Sequence, residues 1–197
     1  WPMSRWATVS NDGEREGLFV VTEAKYGVSC REGNLGLTLL RSPRHVGYEE
    51  HSKCYQAHLS RLPQPDTVYT DQGEHTIELA IGAYELTAPR DEQPAVLAET
   101  LFTAPVAYRG KPINSALHGI DGGETLIPHW AQPLGRDAWV LRLHEVSGQR
   151  GHARLRLAPG WRAQKTNLLG DPLGKPLHTD RLAFAPYEII SLRLDRV

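Results

Sequence analysis

The sequence predicts an all-β protein, an antiparallel β-sandwich with at most one or two short helices. Three observations carry that reading: period-two alternation of apolar and polar residues, turn signals spaced between the alternating runs, and a high content of chain-breaking residues. The 197 residues include 18 Gly and 14 Pro, about one in six, which is above the usual share. Such punctuation interrupts helices and suits short strands. Alternation gives each strand one buried and one wet face, the property of antiparallel sheets rather than of alternating βαβ units.

The elements follow in chain order. The opening Trp1-Pro2-Met3-Ser4-Arg5-Trp6 has neither the charged nor the apolar region of a signal peptide. It begins inside an apparent strand, as a piece of a longer protein would. Irregular strands are predicted at 18–23, 26–30 and 35–41, with turn signals at Asn11-Asp12-Gly13 before the first and Glu32-Gly33-Asn34 before the last. Residues 44–70 lack alternation and carry His45, His51 and His58; Tyr55, Leu59 and Leu62 would share one face of a short helix ended by Pro63. Connections this long are functional or mobile. Residues 75–84 give the clearest strand, with Ile77, Leu79, Ile81 and Ala83 expected on the buried face. A helix is predicted over 94–102 from Leu97/Leu101 and Ala98/Phe102 at i, i+4, started by Asp91 and Pro94. Residues 107–114, with Gly110 and Pro112, read as a linker between two β units of comparable size. Further strands are predicted at 125–130, 138–146, 151–158, 181–184 and 190–195, with turns at Asp121-Gly122-Gly123, Ser147-Gly148 and Pro159-Gly160.

Charge and composition exclude several functions. With 22 basic and 23 acidic side chains the formal net charge is −1, which removes the case for a nucleic-acid binder or a polybasic membrane patch. Mean hydropathy is −0.42, and no apolar run approaches the ~20 residues of a spanning helix. Cys30 and Cys54 form no CxxC pair and read as two reduced thiols of a cytosolic protein. GxSxG, HExxH, P-loop, GxGxxG and EF-hand patterns are absent. His51 and His58 lack a third ligand at metal-site spacing and read as a solvated pair. His144 and Glu145 are strand neighbours, so they point to opposite faces and do not converge as acid and base. Trp130, Trp139 and Trp161 lie in strand patterns and are expected in the core.

Several stretches carry a resemblance. Trp6-Ala7, Gly17-Leu18-Phe19-Val20-Val21, Lys25-Tyr26-Gly27-Val28, Leu37-Thr38-Leu39-Leu40-Arg41-Ser42-Pro43, Pro65-Asp66 and Asp71-Gln72-Gly73-Glu74-His75 occur in that order. Later come Leu141-Arg142-Leu143-His144-Glu145, Thr166-Asn167-Leu168-Leu169 and Ala185-Pro186-Tyr187-Glu188-Ile189-Ile190. Together they resemble the post-catalytic β region of α-mannosidases of glycoside hydrolase family 38, in the shorter bacterial or cytosolic type, over nearly the whole chain.

The resemblance implies a fold and a role. Residues 1–108 would be part of a large, supersandwich-like (galactose-mutarotase-like) β-sandwich, and 109–197 a smaller C-terminal β-sandwich. The family's retaining, zinc-dependent chemistry belongs to an upstream barrel whose motifs do not occur here. The resemblance therefore implies no catalytic residue and no cofactor in this chain, with zinc and the mannoside substrate held by the catalytic domain of the same polypeptide. The stretch between Pro43 and Pro65 is longer than the family's usual connection.

Arg41, Asp71 and His75 are the candidate contacts to that domain or to its sugar. On one reading they help close the sugar site. On the other, Arg41 pairs with Asp71 and His75 caps a loop whose Gly73 takes a positive φ. Three roles stay open: an accessory and structural domain of an α-mannosidase in the cytoplasm, a stand-alone carbohydrate-binding sandwich, and an interaction domain that self-associates through exposed sheet edges.

Overall fold

The computed structural model describes residues 1–11, 13–23, 27–43, 69–110, 115–177 and 181–197. The short helix predicted around Tyr55, Leu59 and Leu62, the histidines 45, 51, 58 and 178, Cys54, and part of the predicted linker lie outside the described residues. The elements are β1 (Trp6–Val9), β2 (Glu16–Thr22), β3 (Val28–Arg31), β4 (Asn34–Leu37), β5 (Leu79–Glu85), α1 (Pro94–Phe102), β6 (Leu117–Asp121), β7 (Leu126–Pro133), β8 (Ala138–Glu145), β9 (Gly151–Leu157), β10 (Trp161–Thr166), β11 (Arg181–Phe184) and β12 (Ile189–Arg196). The chain is all-β and every strand pairing is antiparallel.

β6 to β12 form a sandwich. A four-stranded sheet of order β10-β12-β8-β7 faces a three-stranded sheet of order β11-β9-β6. Alternating residues of both sheets meet between them: Leu141 and Leu143 of β8, Leu155 of β9, Leu182 of β11, and Ile190, Leu192 and Leu194 of β12 are all buried in one cluster. The predicted alternation of β9 and β12 places the apolar set inward, as expected. β6 and β10 were not predicted, because Gly119 in β6 and the polar Arg162, Gln164 and Lys165 of β10 blur the alternation.

The N-terminal strands are built differently. β1, β2 and β5 make one three-stranded sheet, and α1 lies on one of its faces. Phe19 and Val21 of β2 and Ala98 of α1 form a small core, with Trp6, Ala80, Tyr84, Leu97 and Phe102 packed around it. Gly82 leaves room for the Phe19 ring: a Cβ there would stand 2.7 Å from the ring's Cζ. β3 and β4 form a separate hairpin closed by Glu32 and Gly33, both at positive φ, the I′ geometry that suits a two-residue turn.

One expectation fails here. The strand predicted at 75–84 is shorter, β5 from Leu79 to Glu85; it alternates, but its Leu79, Ile81 and Ala83 face solvent, Ile81 at 69% exposure. Cross-strand Leu18 is exposed as well, at 58%. The helix takes the other face, so the smaller set Ala80, Gly82 and Tyr84 is covered instead. Likewise Ala98 and Leu97 of α1 pack inward while Leu101 is exposed. The helix starts after Gln93; Asp91 belongs to a preceding 3₁₀ turn, Arg90–Glu92. The Gln93 side chain is buried and donates to the carbonyls of Glu85 and Ala88, at 3.1 and 3.0 Å, which fixes the entry from β5 into the helix.

Arg90 ties the helix entry to the sandwich. Its guanidinium donates to the carbonyls of Ile120, Gly122, Gly123 and Leu126 at 2.7, 2.8, 2.9 and 3.0 Å. These carbonyls belong to the β6–β7 turn. Desolvation lowers the pKa of Arg90 against the raising pull of Glu124 and Asp121, and an arginine keeps its proton at neutral pH regardless.

Candidate functional site

Residues 41–43 and 69–75 meet at one place. The Thr70 N–H donates to the Pro43 carbonyl at 2.9 Å, and Ser42 Oγ donates to the Thr70 carbonyl at 2.5 Å. The two ends of the long connection are therefore tied together. Asp71 stands at φ 55 and Gly73 at φ 120, so the chain reverses sharply before β5. The Nε2–H of His75 donates to the Asp71 carbonyl at 2.8 Å. His75 thus caps the loop, and the positive φ expected at Gly73 is present. The ion pair expected with that cap is not: Arg41 makes no salt bridge to Asp71, whose side chain is exposed. Backbone ties bring Arg41, Asp71 and His75 into one exposed region without joining their charged groups.

In the sandwich, the three late motif stretches interlock. Glu145, at the end of β8, is 0% exposed. Its carboxylate accepts the N–H of Tyr187 at 2.9 Å and the N–H of Ser147 at 3.0 Å. Burial pushes its pKa up, but hydrogen bonds from Tyr187, Thr125, Ser147 and Gln149 outweigh that and hold it below the ordinary value. Tyr187 reaches this position through a left-handed backbone, φ 57, and its ring lies against Gly148, where a Cβ would stand 2.9 Å from the phenol oxygen. Glu188 closes the same turn by accepting the Ala185 N–H at 2.8 Å. The strand ending in Arg-x-x-Glu and the Ala-Pro-Tyr-Glu turn are thus two halves of one clamp.

The middle motif joins through Arg142. Its Nη2 donates to the Leu168 carbonyl at 3.1 Å. Asn167 Oδ1 accepts the N–H groups of Leu169 and Asp171, both at 2.9 Å, which shapes the loop that carries Leu168. Sequence reasoning found these stretches only as patterns. The one usable signal was a glutamate at an inward strand position, a buried charge that requires partners.

A β-bulge corrects the reading of Trp130. The register of β7 on β8 shifts between Pro128 and Trp130, so His129 is the extra residue and the alternation slips by one. Trp130 then faces outward, 41% exposed rather than in the core, and the Arg142 guanidinium lies 4.6 Å from its ring centroid. His129 meets His144 edge-on, with ring centroids 6.4 Å apart. His144 and Glu145 do take opposite faces. Trp139 and Trp161 pack against the core.

These contacts hold loops in place; they present no nucleophile with a base. Among the described residues no three His, Cys, Asp or Glu side chains converge as a metal site. The fold and clamps define the class, an antiparallel β-sandwich module whose signature polar residues serve each other. Residues 130–192, from within β7 to within β12, match the family model described as the C-terminal beta sandwich domain of glycosyl hydrolases family 38. That match covers about a third of the chain and includes Arg142, Glu145, Asn167 and Tyr187. No significant match to a curated protein is found.

Proposed function

We propose that this chain is the C-terminal accessory β region of a family 38 α-mannosidase of the cytoplasm. Its partner is the catalytic barrel of the same polypeptide, where zinc and the mannoside belong, and it does not hydrolyse mannosides alone. The observation that carries this reading is the family match over residues 130–192, within which the polar motif residues are engaged in clamping the sandwich. The exposed Leu18 of β2 and Leu79 and Ile81 of β5 support it, as apolar side chains suited to packing. The loop of Arg41, Asp71 and His75 is the polar contact offered beside them.

The reading frame upstream of the Trp1 codon provides the test. It is expected to encode a barrel, and the whole polypeptide to release nitrophenol from an aryl α-mannoside while the 197-residue chain releases none. His75→Ala in the whole enzyme is expected to lower kcat/KM at unchanged Tm if the loop touches the sugar site; a lowered Tm with unchanged turnover removes that role. Hydrolysis by the isolated chain, or an inactive whole polypeptide, overturns the proposal.

The outward Trp130 favours one second reading, a free carbohydrate-binding module. Calorimetric titration of the chain with mannose and mannobiose separates the two, since heat of binding from the isolated chain is expected only for the second.

A further inference from the structure

One end of the sandwich, where β6 begins and β9 and β12 finish, opens into a cleft of about 540 Å³. Its walls come from both sheets. Trp139 of β8 and Trp161 of β10, each half-buried, supply flat apolar surface. Arg196 of β12 is the cross-strand partner of Trp161, and Arg136 reaches in from the β7–β8 turn. The facing sheet contributes His118. The pairing of β6 with β9 shifts between Leu117 and Gly119, leaving His118 as the extra residue of a bulge, the device by which a strand re-aims a side chain.

The frame is fixed by backbone bonds. The Arg196 N–H donates to the Asp137 carbonyl at 2.8 Å, and the Val197 N–H to the Gly160 carbonyl at 2.7 Å. An apolar recess of about 290 Å³ adjoins the cleft and shares Trp139 with it. Among the described residues no carboxylate lines the cleft. The neighbouring acid, Asp137, stands 3.6 Å from Arg196 Nη1 with both side chains about two-thirds exposed, a loose pair that a better-placed anion displaces. Arg136 enters no ion pair with a described residue.

Two indoles, two guanidinium groups and an imidazole make a specific combination. Aromatic faces pack on the C–H faces of a sugar ring, and guanidinium forks match phosphate or carboxylate. The indole N–H groups and His118 offer hydrogen bonds to hydroxyls, and the volume lies in the range of small-ligand sites. We propose that this cleft binds an anionic monosaccharide, its ring against Trp139 and Trp161 and its phosphate or carboxylate on Arg136 and Arg196. The site is independent of the mannosidase reading, since it lies within the sandwich itself.

Tryptophan fluorescence of the 197-residue chain, titrated with glucose 6-phosphate, glucuronate, glucose, inorganic phosphate and AMP, tests this. A saturable change at millimolar concentration or below is expected with glucose 6-phosphate, glucuronate or both, and none with glucose. Saturation by the first alone assigns a phosphate site and by the second alone a carboxylate site. Arg136→Gln, a change in an exposed turn, is expected to weaken binding about tenfold or more. No saturation by either anionic sugar up to about 10 mM, equal binding of inorganic phosphate or AMP, or an unaffected Arg136→Gln variant overturns the proposal.

Discussion

The N-terminal sheet and the C-terminal sandwich solve the same problem with different completeness. In the sandwich both sheets turn their apolar faces toward one shared core, and the outward positions carry Arg142, His144 and Arg193. In the N-terminal sheet one face is covered by a single short helix, over a core of only Phe19, Val21 and Ala98. Its other face buries Val20 and Thr22 of β2 but displays Leu18, Leu79 and Ile81. A sheet whose two faces are both apolar is a sheet built to be covered twice. The sandwich therefore closes both of its sheets over one core, whereas the second face of the N-terminal sheet is buried only at Val20 and Thr22 and leaves Leu18, Leu79 and Ile81 exposed.

Breaking the sandwich is expected to cost most. Leu143→Ala empties a fully buried position at its centre and should destabilise by about 3 kcal/mol or more. Val21→Ala, fully buried in the smaller core, should cost about 1.5 kcal/mol, two methyl groups' worth. Urea unfolding followed by tryptophan fluorescence and far-UV dichroism checks both. Equal losses would mean that the two cores are equally well packed.

Glu145 comes next. Glu145→Ala leaves the N–H groups of Tyr187 and Ser147 without their acceptor and should cost roughly 2–3 kcal/mol. The same carboxylate gives an acid dependence. Its folded pKa is depressed below the ordinary value of about 4.5, so its contribution is full above that value and is lost as pH falls below it through the folded pKa. The Tm of the wild-type chain should thus fall more steeply with acidification in that range than that of Glu145→Ala. Parallel curves would assign the acid sensitivity elsewhere.

Arg90 tests the joint between the two regions. Arg90→Ala releases four carbonyls of the β6–β7 turn and should cost about 1–2 kcal/mol. The more informative readout is cooperativity: a single urea transition should split into two, because the clamp that couples the regions is gone. A shifted but still single transition would show that other contacts join them.

How far the sequence carried this depends on what kind of pattern each feature leaves. The strands of residues 138–145 and 181–184 and the helix of 94–102 were legible because period and punctuation are local. The covered face of β5 was not legible: alternation reveals two faces, and only the position of α1 decides which is covered. Trp130 was misread because a one-residue bulge reverses inside and outside; Pro128, a residue that sheets confine to edges and bulges, is its one local sign. The cap by His75 was legible from Gly73, which marks the reversal. Arg90 pairs with carbonyls thirty to thirty-six residues away and Glu145 with the Tyr187 N–H forty-two residues away, and such pairing leaves no periodic trace. The motif stretches could be recognised as patterns well before their mutual contacts gave them a physical meaning.

The smallest expected effect bears most directly on the uncovered face. Ile81→Thr keeps a β-branched side chain on β5 and changes only a surface that solvent already reaches. The stability of the isolated chain should change within the scatter of ordinary surface substitutions, about 0.5 kcal/mol or less. Its sedimentation should change instead. If the face of Leu18, Leu79 and Ile81 drives the wild-type chain to self-associate, the variant sediments as a monomer at concentrations where the wild type does not. A marked loss of stability in the variant would show that this face is already covered within the chain, and the contrast between a complete sandwich and a half-covered sheet would no longer hold.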